Sequence, residues 1–388
     1  MIKVLSLFSG IGAFERAFCR IGLDWELVNY CEIDRWASQS YSMINQCSES
    51  LNLHDVRTVT AETVRDRQVD LITYGFPCQD ISIAGKQQGF ANDSGESTRS
   101  GLFFEALRII KELRPRYAIA ENVKALTSTK FKNEFATVLS SLEEAGYTNY
   151  WRVLNAKDYG IPQNRERVFI VSIRHDVDKG DFQFPEKEPL MLRLRDMLEP
   201  AESVDEKYYL STERKGVRRL IAELEARYRL PVAARIGETP VLCQIGNIAK
   251  DPSREHIQDR IYDPSGLAPT LNTVGGGGLE AKIVIDDLTR DTQKQKARVF
   301  NPSGLAASLI ATDYKDPLEI AEPEHVYGVR IRKLTPRECW RLMGFLDEEF
   351  DRVHGISNSQ LYKQAGNSIV VNVLSALLSQ LFNKTERA

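Results

Sequence analysis

An apolar run, Lys3–Phe8, stops at Phe8-Ser9-Gly10-Ile11-Gly12 and passes straight into a helical pattern. This strand, glycine turn and helix constrain the fold more than any other feature. A strand joined so tightly to a helix has to lie in a sheet that the helix covers. The helix is read from Phe14, Ala17, Phe18 and Ile21, at i, i+3, i+4 and i+7, with Gly22 ending it. The alternation continues: Glu26–Cys31 as strand, a helix capped by Asp34, Val69–Tyr74 as strand, Gly101–Leu113 as helix, Tyr117–Ala120 as strand, Asn133–Ala145 as helix and Arg167–Ile173 as strand. Such a series predicts an α/β domain with a largely parallel sheet.

From 175 to 330 the pattern gives way to mixed proline, glycine and charge, read as a second, smaller and irregular domain. It contains an internal repeat. The segment from Arg260 to Leu271 matches that from Arg298 to Leu309 at seven of twelve positions, each copy with an Asp/Asn-Pro-Ser-Gly turn and an expected short strand after it. The copies serve either as scaffold or as mounts for the loops that follow, Asn272–Gly278 and Ala311–Asp316. Four glycines, Gly275–Gly278, allow a backbone to approach a ligand closely. Order returns at Leu334-Thr335-Pro336, a helix start, and the last helix, Ser368–Phe382, is apolar nearly all round and must be buried. It is expected to dock onto the first domain, which then comprises 1–174 plus 331–388.

The chain of 388 residues carries a net charge of −3, mildly against a nucleic-acid binder, although positive charge can be confined to a cleft. Basic clusters such as Arg214-Lys215 and Arg330, Arg332 and Lys333 read by themselves as solvated faces. No apolar run approaches the roughly 18 residues that span a bilayer, and no signal peptide is seen at Met1. Six cysteines without a CxxC pair and five scattered histidines point to a reducing compartment and to no metal site. The expectation is a cytoplasmic protein with no membrane partner.

Cys78 follows Gly75-Phe76-Pro77 at the end of a buried strand. A lone cysteine is more often core than nucleophile, but one presented between a strand end and a glycine-spaced segment suggests a nucleophile. Gly10 and Gly12 permit a tight ligand-binding turn, and Glu32, some twenty residues on, suits ribose hydroxyls. Glu15 stands where a third glycine would favour pyrophosphate, so a ligand without phosphate fits better. Asp55 is placed to accept from an adenine amino group.

The Phe-Ser-Gly-Ile-Gly turn, Gly75-Phe76-Pro77-Cys78-Gln79, Glu121-Asn122-Val123, Gln163-Asn164-Arg165-Glu166-Arg167-Val168, the segment Arg332 to Phe345, and Gln364-Ala365-Gly366-Asn367-Ser368 occur in that order. Together they resemble the motif series of the DNA (cytosine-5) methyltransferases of bacterial or phage type. The resemblance covers the first 175 residues or so and the last sixty, and implies a Rossmann-like S-adenosylmethionine-dependent methyltransferase domain with a target-recognition domain at 175–330. It implies that Cys78 adds to carbon 6 of a flipped-out cytosine, that Glu121 bonds and protonates N3, that Arg167 contacts O2, and that Arg165 helps hold the site. It further implies an S-adenosylmethionine pocket lined by Phe8, Gly10, Gly12, Glu32, Asp55, Val56, Gly75, Pro77, Leu102, Asn367 and Ser368. For Asn367, a plain helix cap is the alternative.

For double-stranded DNA, the resemblance suggests a closing loop over Gln79–Ser100, with contacts from Gln79 and Ser82. The loops after the repeats, with Asn272, Thr273, Gly275, Gly276, Thr312 and Tyr314, are expected to read bases. A monomer suffices, as one site serves one strand at a time. The expected setting is restriction–modification beside a cognate restriction endonuclease, or phage-encoded protection. Rival readings are an RNA cytosine-5 methyltransferase of the same architecture, a non-catalytic DNA-binding regulator, and a nicotinamide oxidoreductase, the last disfavoured by Glu15.

Overall fold

The computed structural model describes residues 1–77, 99–200, 203–211 and 332–382, scattered positions between 213 and 222, and the backbone of short strands within 243–331. Strands β1 (Ile2–Leu7), β2 (Trp25–Cys31), β3 (Leu71–Tyr74), β4 (Tyr117–Val123), β5 (Tyr147–Asn155) and β7 (Glu166–Arg174) form one sheet in the order β2-β1-β3-β4-β7-β5. β6 (Gln163–Asn164) lies off this sheet. β2, β1, β3 and β4 pair in parallel, whereas β7 runs antiparallel to both β4 and β5. The expected parallel sheet is therefore mixed at one side, and β5 is a strand that the periodicity did not reveal.

Helices α1 (Ala13–Arg20), α2 (Arg35–Asn45), α3 (Phe103–Leu113) and α4 (Lys132–Glu144) cover the sheet. Alternate β1 residues divide between two apolar layers, Val4 on the side of α1 and α2, Leu5 and Leu7 on the side of α3 and α4. Asp34 caps α2 as its sequence predicted, its carboxylate accepting from the amides of Trp36 and Ala37.

A second sheet lies in the middle region: β8 (Cys243–Asn247), β9 (Arg260–Asp263), β10 (Lys282–Ile283), β11 (Val299–Phe300), β13 (Glu319–Pro323) and β14 (Val329–Lys333). β9 and β11 open the two repeat copies, so a strand precedes each Pro-Ser-Gly turn. In the second copy β12 (Ala306–Ala307) also follows the turn and pairs in parallel with β6. The loops expected to read bases, with Asn272, Thr273, Gly275, Gly276, Thr312 and Tyr314, lie outside the described residues.

The chain ends in α5 (Pro336–Leu342), α6 (Asp347–Asp351), α7 (Asn358–Asn367) and α8 (Val371–Phe382). The final helix expected from Ser368 begins instead at Val371, and α7, which the sequence did not reveal, precedes it across Ser368–Val370. Together 358–382 are long and apolar enough to cross a membrane, but Val371, Leu374, Leu377 and Leu378 are buried in the layer that holds α1. This is a core helix, docked on the first domain as its all-round apolarity demanded.

Candidate active site

The ends of β1, β2, β3 and β4 and the start of β7 carry the predicted residues to one edge of the sheet, where open α/β sheets bind ligands. The turn after β1 is tight. Phe8, Gly10 and Gly12 all have positive φ, at 52°, 55° and 88°. At Gly12 an added Cβ would sit 2.4 Å from Asn45 Nδ2, and Asn45 is held by Arg16 and by the Tyr41 carbonyl. Glycine is required there by backbone and by space. Phe8 tolerates the left-handed region at a cost, a strain of the kind found at ligand sites.

Glu32 is fixed to this turn. Its Oε2 accepts from the Gly10 amide at 2.9 Å and its Oε1 from the Asp34 amide at 2.8 Å. Burial pushes its carboxyl upward, against those amides and the pull of Lys363. Asn52, which the sequence did not single out, takes the backbone amides of Glu32 and His54 on one oxygen and so binds the β2 end to the loop before Asp55. Ile33 was also missed. It directly follows Glu32 and is 70% exposed, an apolar surface at the rim of the turn. Asp55 is at the expected rim, but its carboxylate is held by its own Arg57, which donates to both oxygens and holds it below the ordinary range. Val56 beside it is buried.

Glu15 proves wholly buried rather than directed at the turn's ligand face. Ser6 and Tyr41 flank it, neither carboxylate oxygen reaches a hydrogen-bond partner, and burial raises its carboxyl above the ordinary range. Buried beneath the turn, the Glu15 side chain faces away from any ligand bound there. The Glu32 acceptor oxygens, the exposed Ile33 and the Gly10–Gly12 turn would suit a ligand that brings hydroxyl donors and a flat ring.

Glu121 lies near the end of β4 with its side chain 13% exposed, and Arg167 Nε meets its Oε1 at 3.1 Å. Burial raises the carboxyl, opposed by Arg167 and Arg165. An added Cβ on Gly75 would lie 3.6 Å from Glu121 Oε2 and 4.0 Å from Ile369, so the turn after β3 passes directly over this carboxylate. Asn122 secures that turn by donating to the Phe76 carbonyl at 3.0 Å. Pro77 closes the described part of the turn, and Leu102 is half-buried at the start of α3. Cys78, Gln79 and Ser82, with the rest of the expected closing loop to residue 98, lie outside the described residues.

The two arginines have different places. Arg167 faces Glu121. Arg165, 3% exposed, donates from Nη2 to the carbonyls of Gly366 at 3.0 Å and Ser368 at 2.7 Å. Those carbonyls flank Asn367, whose side chain is exposed, while Ser368 is buried as the residue that ends α7. Arg165 thus ties the chain's last motif to the sheet. Phosphate binding by both arginines together is incompatible with its burial. Among the described residues, no group of three or more His, Cys, Asp or Glu side chains is placed to hold a metal.

A family model described as C-5 cytosine-specific DNA methylase matches residues 2–383. The chain is 34% identical to the orphan methyltransferase M.SPBetaI of Bacillus phage SPbeta, over 98% of each chain. It is 32% identical to the type II methyltransferase M.HhaI of Haemophilus parahaemolyticus, over 96% of this chain and 92% of that one. In fold it resembles the Entamoeba histolytica methyltransferase EhMeth, with a TM-score of 0.65 at 15% identity over 99% of each chain. It also resembles the S. pombe Dnmt2 methyltransferase, with a TM-score of 0.60 at 19% identity over the same share.

Proposed function

The chain belongs to the C-5 cytosine-specific DNA methylases and is a DNA cytosine-5 methyltransferase that uses S-adenosylmethionine; on that premise we propose a covalent mechanism at Cys78. The observation that carries it is the Glu121 carboxyl, buried, raised and under the Gly75–Pro77 turn that leads into Cys78.

Carbon 5 of cytosine is a weak nucleophile. The Cys78 thiolate bonds to carbon 6, and the ring electrons move toward N3, where the protonated Glu121 donates. Burial raises this carboxyl, which favours its carrying a proton at that step. Arg167, held on Glu121, presents its remaining donors to O2. Carbon 5 then takes the methyl group that S-adenosylmethionine supplies, leaving S-adenosylhomocysteine. Water takes the carbon 5 proton, the electrons of that bond re-form the ring double bond and expel the Cys78 thiolate, and N3 returns its proton to Glu121.

When S-adenosylmethionine is bound, Glu32 would hold its ribose, Ile33 would pack on its adenine, Gly10 and Gly12 would admit its amino-acid tail, and Asn367 and Ser368 would close the pocket, with Phe8, Val56, Pro77 and Leu102 lining it. The base is flipped from the duplex at a cost of about a few kcal/mol. Residues 175–330 read the target, and the protein acts as a monomer that shields DNA from a restriction endonuclease of the same site.

Duplex DNA carrying 5-fluorocytosine tests the mechanism, because fluorine cannot leave carbon 5 as the proton does. A denaturant-stable protein–DNA adduct is expected with the wild type and none with Cys78→Ser. An adduct in Cys78→Ser would remove Cys78 from the role. Sequencing of methylated genomic DNA, with tRNA as a parallel substrate, supplies the target, and label confined to tRNA would replace DNA as substrate.

A further inference from the structure

The chain passes between its two domains twice. It leaves the first through 175–200 and returns through β14. β14 is antiparallel to β13, which places Arg332 opposite Ile320, and Arg332 is also bridged by Tyr209. Arg332 therefore belongs to the sheet of the middle region. Its side chain points the other way in function: Nη1 and Nη2 reach Glu338 Oε2 and Oε1 of α5, each at 2.9 Å. Both side chains are 0% exposed.

Glu338 does more than pair with Arg332. Its Oε2 accepts the Thr335 amide at 2.7 Å, completing the capping box of α5. Its Oε1 accepts the Glu199 amide at 2.8 Å, from the outgoing crossing. The Glu199 carboxylate in turn receives the Thr335 hydroxyl and lies 3.4 Å from Arg337. One buried carboxylate thus binds the outgoing segment at Glu199, the returning strand β14 and the helix α5 that follows it.

We propose that Arg332 and Glu338 are positioning residues that fix the direction of both crossings and so set where the middle region meets DNA. The proposal rests on reading 175–330 as the target-recognition domain. Stability alone is a poor account of such a pair, since apolar replacements of similar volume are often neutral or better. Apolar side chains do not supply direction. A planar guanidinium on a carboxylate whose other lone pairs are filled admits one orientation.

The double variant Arg332→Met with Glu338→Gln removes both charges, keeps the volume and retains a residue able to complete the capping box. We expect its KM for DNA to rise about tenfold while kcat and S-adenosylhomocysteine affinity stay within about twofold. Arg332→Lys keeps the charge and loses the fork; a rise of about fivefold is expected, and it gives the same readout should the double variant fail to fold. A folded variant with the wild-type KM for DNA overturns the proposal. So does a proportional fall in kcat, DNA affinity and cofactor affinity, the mark of general loosening. A wild type that binds S-adenosylhomocysteine and methylates DNA without sequence preference removes the recognition reading instead.

Discussion

Glu121 and Glu338 are both buried carboxyls raised by desolvation, and each is paired with an arginine. Glu338 takes four donors, two from Arg332 and two from backbone amides, and is closed to solvent. Glu121 has one close contact with Arg167, keeps an oxygen beneath Gly75 and is 13% exposed. A saturated pair defines structure. A pair left partly unsatisfied at a strand end keeps a proton and lone pairs for something else.

Glu121→Gln tests that contrast with the largest expected effect. Single-turnover methyl transfer should slow about 10²- to 10⁴-fold, as for loss of a general acid, while melting temperature and S-adenosylhomocysteine affinity hold. Glu338→Gln should do the reverse, lowering stability by about 3 kcal/mol through an uncompensated buried charge on Arg332. If both variants lost activity only in step with stability, the two pairs would be of one kind.

The arginines sharpen the same comparison at smaller scale. Arg165→Met strips two charge-assisted bonds from the carbonyls around Asn367, about 2–3 kcal/mol in denaturant unfolding. It should also weaken S-adenosylhomocysteine about tenfold, because Asn367 and Ser368 lose their support. Arg167→Met should slow methyl transfer with little change in unfolding. Identical unfolding curves for the two variants would erase the distinction.

The sequence reveals this contrast only in part. Strand ends and glycine turns are local, so Cys78, Glu32 and the Phe8–Gly12 turn stand out from spacing, whereas Glu121 stands out only through the motif resemblance. Partners are not local: Arg165 meets Gly366 and Ser368 some two hundred residues away, and Asn52 reaches Glu32 across a loop. Strand direction leaves no trace in periodicity, so the antiparallel β7 went unread. β5 was missed because its outer positions Trp151 and Arg152 are exposed and blur the alternation. The polar helix α7 before Ser368 lacks an apolar run to reveal it, and the carbonyls at its end meet Arg165 across some two hundred residues. Glu15 was expected to bear on the turn's ligand, but it is buried beside Ser6 and Tyr41, a placement that depends on residues distant in sequence and could not be foreseen.

Glu15 gives the smallest effect and a sign that can be checked. It is a third buried, raised carboxyl, yet with neither an arginine contact nor a hydrogen-bond partner on its oxygens. Unfolded, it titrates at its ordinary value of 4.5; folded, burial raises it. Between those two values the native state binds more protons than the unfolded state, so stability falls as pH rises. The contribution is fully present below 4.5 and is lost as pH climbs through the folded value. Glu15→Gln, which cannot ionise, lacks that decline. Denaturant unfolding of the two proteins at acid and mildly alkaline pH should therefore find the variant gaining on the wild type as pH rises, with Glu32, Glu121 and Glu338 contributing alike to both. A constant difference across that range would mean that the fold does not raise the Glu15 carboxyl.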